Sequence, residues 1–204
     1  EAVFRLHGLP ETILCDNGSP WGCRDSEQLS RLGVWLLRLG VRVIHGRPYH
    51  PQTQGKDERF HRTLKADLLS RQDLRDLPHA QQAFDQYREI YNHQRPHEAL
   101  GLATPASRYQ PSLRSFPEQL LTPDYPSDYL IRRVRCGGGI TLKNRSFYIG
   151  KAFEGLDLAI RPTHTNGIYH VQYGAIIIGQ IDLDELPNKP KHIYRTLKPI
   201  QTNV

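Results

Sequence analysis

The chain has 204 residues, and its 38% hydrophobic and 24% charged content is typical of globular proteins and argues against wholesale disorder. No apolar stretch approaches the ~18 residues that a membrane span needs, and three cysteines without close spacing predict neither a disulfide framework nor a zinc site. The net charge of +6 and the pI near 9.3 favour a polyanionic partner such as nucleic acid.

The first half of the chain alternates short apolar strands with helices. The predicted elements are a helix ending at Gly8, a strand over 12–15, a helix over 26–39 capped by Asp25 or Ser26, a strand over 41–44, a polar loop over 46–55, and helices over 56–75 and 80–92 separated by a break at Pro78. Two strands alone make a marginal sheet. Because the chain also begins with Glu1 and contains no methionine, we expect further strands of this sheet upstream.

The second half is predicted to be all-β after a proline-rich linker. Strand-like runs alternate with turn residues over 129–136, 140–143, 147–149, 156–161, 168–173 and 176–183. Asn166-Gly167, between two of these runs, is typical of a β-hairpin. Strands of this length and number predict a small barrel. The predicted organisation is therefore a core over 1–110, a linker over 111–127, a barrel over 128–184 and a tail over 185–204.

Two carboxylates occupy positions that suit chemistry. Asp16 follows the strand over 12–15, at the end of a strand where α/β proteins place ligands. Glu58 lies in the first turn of the long helix over 56–75. Two such carboxylates can share Mg²⁺ ions that act at phosphorus. A simpler explanation stays open, because Asp-Asn-Gly is a common turn and the helix dipole favours an acid in the first turn.

The motifs around these carboxylates extend over about half of the chain. They comprise Gly8-Leu9-Pro10, residues 13–19, Gly40-Val41, residues 48–65, residues 91–100 and Thr104-Pro105. As an ordered set they resemble the DDE-type integrase and transposase family, whose core is found in retroviral integrases and insertion-sequence transposases. The resemblance implies an α/β fold, a partial RNase H-like core, followed by a small all-β SH3-like barrel.

The resemblance also implies the catalytic residues. Asp16 matches the second catalytic aspartate of the family and Glu58 matches its glutamate, and both would hold Mg²⁺ or Mn²⁺. The first aspartate of the family has no counterpart here. We therefore expect that residue upstream of Glu1, and we expect this chain to be inactive by itself.

Other candidate ligands near these carboxylates are less suitable. Asp57 points about 100° away from Glu58 around the helix, so it is predicted to be a solvated acid. The histidines at 45, 50 and 61 are not spaced as a compact metal site, and carboxylates suit Mg²⁺ better than imidazoles do.

Candidate DNA contacts lie in both halves of the chain. Arg62 and Lys65 share a helix face with Glu58, where the family contacts DNA. Tyr49 is placed to stack on a base, or equally to cap the core. On the barrel, strand alternation predicts that Arg133 and Arg135 face outward together and Arg132 faces the other way. The barrel face could instead be a solvated surface or serve protein assembly.

The function that the resemblance implies is DNA integration or transposition by metal-dependent strand nicking and strand transfer. The implied partners are the DNA of element ends and target, with a homo-oligomer assembled on DNA and no membrane. The implied location is cytoplasmic, in a bacterium, at the nucleoid when bound to DNA. Two alternatives remain: a non-catalytic DNA-binding remnant of a decayed mobile element, and a host nuclease with the same core.

Overall fold

The computed structural model describes residues 1–16, 18–21, 29–45, 55–120 and 122–184, together with the backbone of 195–196. The chain divides into two compact units, each made of two stretches. Unit 1 contains Glu1–Pro10 and Gly46–Phe116, and unit 2 contains Glu11–His45 and Pro117–Val204. This division crosses the boundaries predicted from the sequence, and the domain boundaries stay a prediction.

Unit 2 begins with a parallel strand pair joined through a helix. Strand β1 (Thr12–Cys15) pairs with β2 (Arg42–His45), and α2 (Arg31–Arg38) lies between them in sequence. The described helix begins later than predicted, because the Ser30 hydroxyl accepts a hydrogen bond from the Gly33 N–H at 3.0 Å and so caps the helix there. The predicted caps at Asp25 and Ser26 lie outside the described residues.

The remaining strands of unit 2 confirm the all-β prediction. They are β3 (Leu130–Arg133), β4 (Gly139–Leu142), β5 (Arg145–Tyr148), β6 (Asp157–Pro162), β7 (Ile168–Tyr173), β8 (Ile176–Asp182) and β9 (Arg195–Thr196), with a 3₁₀ turn at Lys151–Phe153. In the described part of the chain they form an antiparallel sheet in the order β3-β6-β7-β8 and a second sheet in the order β4-β5-β9. The described strands do not close into one barrel, and β9 comes from the predicted tail.

The hairpin predicted at Asn166-Gly167 is present, with a longer loop than a two-residue turn. Strand β6 ends at Pro162 and β7 begins at Ile168, so five residues connect the antiparallel pair. Gly167 has a φ of +82°, and a Cβ there would lie 2.8 Å from the Asp184 carboxylate. The backbone angle therefore favours glycine at this position, whereas the exposed Asp184 side chain could move away from a Cβ.

The core of unit 2 joins the β strands to α2. Apolar side chains from both sheets and from α2 form one buried cluster, whose members are Val34, Val134, Ile140, Leu142, Phe147, Ile149, Phe153, Leu158, Ile160, Val171, Tyr173, Ile181 and Leu183. Val34 is the contribution of α2, and Leu37 packs against the same cluster. This shared core explains why the segment 11–45 belongs to the same unit as the β strands.

Unit 1 is helical. Its helices are α1 (Ala2–His7), α3 (Gly55–Leu64) and α4 (Leu77–Glu89); α3 continues as a π-helical turn at Lys65–Leu69, α4 continues as another at Ile90–Gln94, and 3₁₀ turns follow at Glu98–Leu100 and Pro105–Arg108. None of the described helices is long and apolar enough to cross a membrane.

The ends of α3 and α4 differ from the prediction. The helix predicted over 56–75, which is α3 with its π-helical turn, ends near Ser70 and not at Arg75. Pro78 does not break a helix: it lies in the first turn of α4, where proline is tolerated because its missing N–H has no intrahelical partner. Asp76 caps this helix by accepting a hydrogen bond from the His79 N–H at 2.8 Å.

Candidate functional site

Asp16 stands at the carboxyl end of β1 with its side chain exposed to solvent. Its Oδ1 accepts a hydrogen bond from the Gly18 N–H at 3.0 Å. This contact turns the chain directly after the strand and fixes the orientation of the carboxylate, while Oδ2 has no hydrogen-bond partner among the described residues. The predicted position of Asp16 at the strand end is confirmed by the strand bounds.

His45 contacts Asp16, which the sequence did not indicate. The ring Nδ1 of His45 lies 2.9 Å from the Asp16 carbonyl oxygen and donates to it. The same nitrogen is 3.6 Å from Cys15 Sγ. The contact follows from the parallel register, which pairs the last residue of β1 with the last residue of β2. His45 therefore holds the backbone of Asp16 in place.

Cys15 is a buried thiol beside these polar groups. It is 7% exposed, and burial, followed by the neighbouring Asp16 carboxylate, raises the pKa of its thiol. Both causes disfavour the negative thiolate. At neutral pH this side chain is therefore a small apolar core group, not a nucleophile or a soft metal ligand.

Glu58 occupies the first turn of α3, where it is exposed and has no hydrogen-bond or ion-pair partner among the described residues. The adjacent Asp57 is 3.5 Å from His61, one turn further along the helix. This pairing agrees with the expectation that Asp57 is a solvated acid. Asp16 belongs to unit 2 and Glu58 to unit 1, and the sharing of a metal ion by their carboxylates stays a prediction.

The donor set suits a hard cation but is incomplete. The described residues contain no group of three or more His, Cys, Asp or Glu side chains placed to hold one metal ion. Asp16 and Glu58 each offer open carboxylate oxygens, which are the ligands that Mg²⁺ and Mn²⁺ prefer. Each of these two residues therefore offers the type of ligand that such an ion prefers.

Arg62 and Lys65 are exposed and follow Glu58 by four and seven residues. Lys65 is the first residue of the π-helical turn that ends this helix. The face predicted to carry all three charges therefore crosses from α-helical to π-helical geometry at Lys65. Tyr49 and the rest of the predicted loop over 46–54 lie outside the described residues.

A cleft of about 660 Å³ on unit 2 contains four basic residues of the β region, and we call it the β3 cleft. Its lining residues are Leu130, Arg132, Arg133, Arg135, Thr141, Leu142, Lys143, Asn144 and Tyr169. Arg133 is exposed there and lies 3.9 Å from Asp157. The cleft thus combines four cations with hydroxyl, amide and aromatic groups, which is a composition typical of nucleic-acid contacts.

The arginines of the β3 cleft agree in exposure with the predicted alternation: Arg133 and Arg135 are exposed and Arg132 is half-buried. Strand β3 itself ends at Arg133, so Arg135 lies beyond the strand. Arg132 Nε donates to the Thr141 carbonyl oxygen at 2.9 Å, and Arg135 Nη2 donates to the Thr141 hydroxyl at 2.6 Å. Arg132 and Arg135 therefore both contact Thr141, which the sequence did not indicate.

Lys143 and Tyr169 form a cation–π pair in this cleft. Lys143 Nζ lies 5.2 Å from the centroid of the Tyr169 ring. Lys143 and Asn144 have φ values of +46° and +60° in the turn between β4 and β5. The turn was predicted from the sequence. The contact between Lys143 and Tyr169 was not, because Tyr169 lies on a different sheet.

The motif over 91–100 has a structural role in unit 1. The Tyr91 ring packs against Phe60 at 5.2 Å and against His97 at 4.9 Å, both in edge-on geometry. Arg95 pairs with Asp67 of the π-helical turn. Burial, and then the Asp67 carboxylate, raise the pKa of the neighbouring Tyr87 hydroxyl. These contacts tie the segment after α4 to α3.

Two family comparisons cover most of the described sites. Residues 39–105 match the integrase core domain family, and residues 130–188 match the C-terminal domain of IS481 family transposases. The chain belongs to the integrase and transposase family. Within this transposase-family chain, Glu58, Arg62 and Lys65 fall in the integrase-core match, the β3 cleft falls in the C-terminal match, and Asp16 precedes both.

Individual relatives include proteins of mobile elements. Over 107 residues the chain is 33% identical to uncharacterized proteins of insertion element IS136 from Agrobacterium fabrum and Agrobacterium tumefaciens, a region that is 52% of this chain and 52% of each relative. The chain thus spans about half the length of these curated relatives. A solved simian T-cell lymphotropic virus intasome, in complex with the PP2A regulatory subunit B56 gamma, is similar with a TM-score of 0.41 and 17% identity, over 90% of this chain and 59% of that one.

Proposed function

We propose that this chain is part of a DDE-type transposase that integrates DNA by metal-dependent strand nicking and strand transfer. One observation carries the proposal: Asp16 at the end of β1 and Glu58 in the first turn of α3 are both exposed carboxylates. They are the residues for which the sequence motifs resemble the catalytic motifs of the family. The surrounding fold would then be a partial RNase H-like core with an SH3-like β region, and the first catalytic aspartate would come from residues upstream of Glu1.

The chain's own residues prepare Asp16 for this role. The Gly18 N–H donates a hydrogen bond to Asp16 Oδ1, and the His45 imidazole donates one to the Asp16 carbonyl oxygen. These bonds orient the carboxylate and leave its Oδ2 open to a ligand. Glu58 would contribute a second ligand from the helix start. When bound, Mg²⁺ or Mn²⁺ would supply the Lewis acidity that activates the attacking hydroxyl and stabilises the leaving oxygen.

The cations would position DNA. Arg62 and Lys65 lie one and two turns after Glu58, so they are placed to hold phosphates beside the reacting one. Arg133 and Arg135, in the β3 cleft, would hold backbone phosphates further along the duplex. Tyr49 would stack on a base near the reacting end. Element ends and target DNA are the proposed partners, and a homo-oligomer on DNA is the proposed active form.

The experiment is a strand-transfer assay with labelled element-end DNA and Mg²⁺ or Mn²⁺. It compares this chain with a longer polypeptide that also carries the residues encoded upstream of Glu1. In the longer polypeptide, Asp16→Asn and Glu58→Gln should each lower strand transfer by about 10³-fold or more, since losing the catalytic metal site removes most of the electrostatic stabilisation. Asp57→Asn is the matched control, because it removes the neighbouring charge and should change the rate less than twofold.

The outcomes separate the alternatives. Loss of activity with Glu58→Gln and its retention with Asp57→Asn supports the assignment. Retained activity in Glu58→Gln contradicts the assignment of Glu58. DNA binding without strand transfer in the longer polypeptide, under both metals, favours the non-catalytic DNA-binding remnant.

A further inference from the structure

A second basic cleft lies on unit 2, between α2 and the 3₁₀ turn at Lys151–Phe153, and we call it the α2 cleft. It has a volume of about 390 Å³. Three cations line it: Arg31, Arg38 and Lys151. Its apolar lining residues are Val34, Trp35, Ala152 and Leu156, and its acidic residue is Glu154. None of the residues that line the α2 cleft also lines the β3 cleft.

The charges of the α2 cleft are not balanced within the described part of the chain. Three cations face one carboxylate, and none of the three cations is in an ion pair with a described residue. The Arg38 Nε is buried and lacks a hydrogen-bond partner among the described residues. A buried donor without an acceptor is costly. The exposed Arg31 and Lys151 are the cations of this cleft that a ligand with anionic oxygens can reach.

We propose that the α2 cleft is a second DNA-binding site, in which Arg31, Arg38 and Lys151 bind backbone phosphates and Trp35 contacts the adjoining sugar or base. This inference rests on the proposed DNA-handling function and adds a contact surface to it. Trp35 is half-buried and lines the cleft next to the cations. An apolar ring beside phosphate-binding cations suits a nucleotide, whereas an acidic peptide would need only the charges.

The test compares two charge-matched double variants of the full chain. The cleft variant is Arg31→Gln with Lys151→Gln, both exposed residues of the α2 cleft. The control is Arg42→Gln with Arg161→Gln, which removes two exposed cations of the same unit that line neither cleft. Matching urea-unfolding curves establish that both variants fold. Binding of a fluorescein-labelled oligonucleotide is then followed by anisotropy as a function of salt concentration.

We expect the slope of log K against log salt to become shallower by about 0.9 for each lost phosphate contact on duplex DNA, or about 0.7 on a single strand, in the cleft variant only. A second readout uses the two tryptophans of the chain. In a Trp21→Phe background, Trp35 is the remaining indole, and the oligonucleotide should quench its fluorescence. A glutamate-rich peptide of the same charge should not.

Two outcomes overturn the inference while the proposed function stands. One is an equal salt slope in the cleft and control variants when the wild-type chain binds DNA. The other is quenching of Trp35 by the acidic peptide at lower concentration than by DNA, which would make the cleft a protein-docking site. Absence of any DNA binding by the wild-type chain at low salt would overturn both this inference and the DNA-binding part of the proposed function.

Discussion

The two units of the chain are stabilised by different interactions. In unit 2, buried apolar side chains from two sheets and α2 form one continuous cluster. In the described part of unit 1, few apolar side chains are buried, among them Leu68 and Ala83, while Leu77 is 86% and Ile90 is 51% exposed. Ring contacts around Tyr91 and the Arg95–Asp67 pair supply much of the long-range contact there.

This difference shows where the molecule can place charge. Helix α3 has no buried residue over Gly55–Leu64 and exposes Glu58 and Arg62 along its length. A helix that contributes little to a core is free to present ionic side chains, because none of them has to be desolvated. In unit 2 the described charged side chains lie outside the buried core, and Gln172 is the one buried polar residue among the described residues.

The largest effect that tests this comparison is expected in the core of unit 2. Ile160 is 1% exposed in β6, so Ile160→Ala should lower the free energy of unfolding by about 2–5 kcal/mol through lost transfer energy and a cavity. Urea unfolding followed by circular dichroism measures this change. The control is Leu113→Ala at a fully exposed position of unit 1, which should change the free energy by less than about 0.5 kcal/mol. A change below about 1 kcal/mol in Ile160→Ala would contradict the description of this core.

A smaller effect is expected at the ion pair of unit 1. Arg95 and Asp67 are 41% and 31% exposed, and Arg95 also lies 5.8 Å from the Tyr91 ring centroid. A double-mutant cycle with Asp67→Asn and Arg95→Gln should give a coupling energy of about 1 kcal/mol, reduced at high salt because partial exposure allows screening. Thermal unfolding at two salt concentrations measures it. A coupling energy of zero would show that the ring contacts alone hold this segment.

A comparable or slightly smaller effect is expected at Tyr125 in unit 2. Its hydroxyl donates to the Asp157 carbonyl at 3.0 Å and accepts from the Gly174 N–H at 3.1 Å. Tyr125→Phe should therefore cost about 1 kcal/mol of unfolding free energy by leaving these backbone groups unpaired. Chemical denaturation at pH 7 measures this loss.

The same residue predicts a pH dependence. Burial is the main cause that raises the pKa of Tyr125 above its ordinary value of 10.0. Because the folded state favours the protonated phenol, its stabilising contribution is complete below pH 10 and is lost as the pH rises through the higher folded pKa. The difference in unfolding free energy between wild type and Tyr125→Phe should therefore shrink above pH 10. A difference that grows there would contradict the direction of the shift.

The smallest effect is expected at Asp57. Asp57 and His61 are 69% and 65% exposed and 3.5 Å apart, so solvent screens their attraction. Asp57→Asn should change the free energy of unfolding by less than about 0.5 kcal/mol. Thermal unfolding at low and high salt checks this value. A loss above about 0.5 kcal/mol would show that even exposed pairs stabilise unit 1.

Much of the local structure was predictable because it depends on short-range patterns. Strand β7 has the predicted bounds, and the other five predicted strands of the β region are present within a few residues. The predicted helix starts were wrong because other nearby residues cap these helices. Asp76 followed by Pro78 starts α4, although the proline suggested a break, and Ser30 starts the described part of α2.

The site was predictable only in part. The strand-end and first-turn positions of Asp16 and Glu58 were predicted because they are local, whereas their catalytic roles stay a prediction from the resemblance. The integrase-core match includes Glu58. His45 was not assigned to Asp16, because that contact needs the parallel register of β1 with β2. The shared contact of Arg132 and Arg135 with Thr141 was not predicted, because Thr141 lies on the separate strand β4.

The sequence by itself determined the family, the order of helices and strands, and the candidate site residues that stay a prediction, because periodicity, caps and motifs are properties of neighbouring residues. Only the tertiary structure decided that α2 shares a core with the β strands, that the strands form two separate sheets in the described part of the chain, and that Arg31, Arg38 and Lys151 surround one cleft. These features depend on contacts between segments far apart in the chain. Their geometry follows from burying apolar faces together, which no local pattern records.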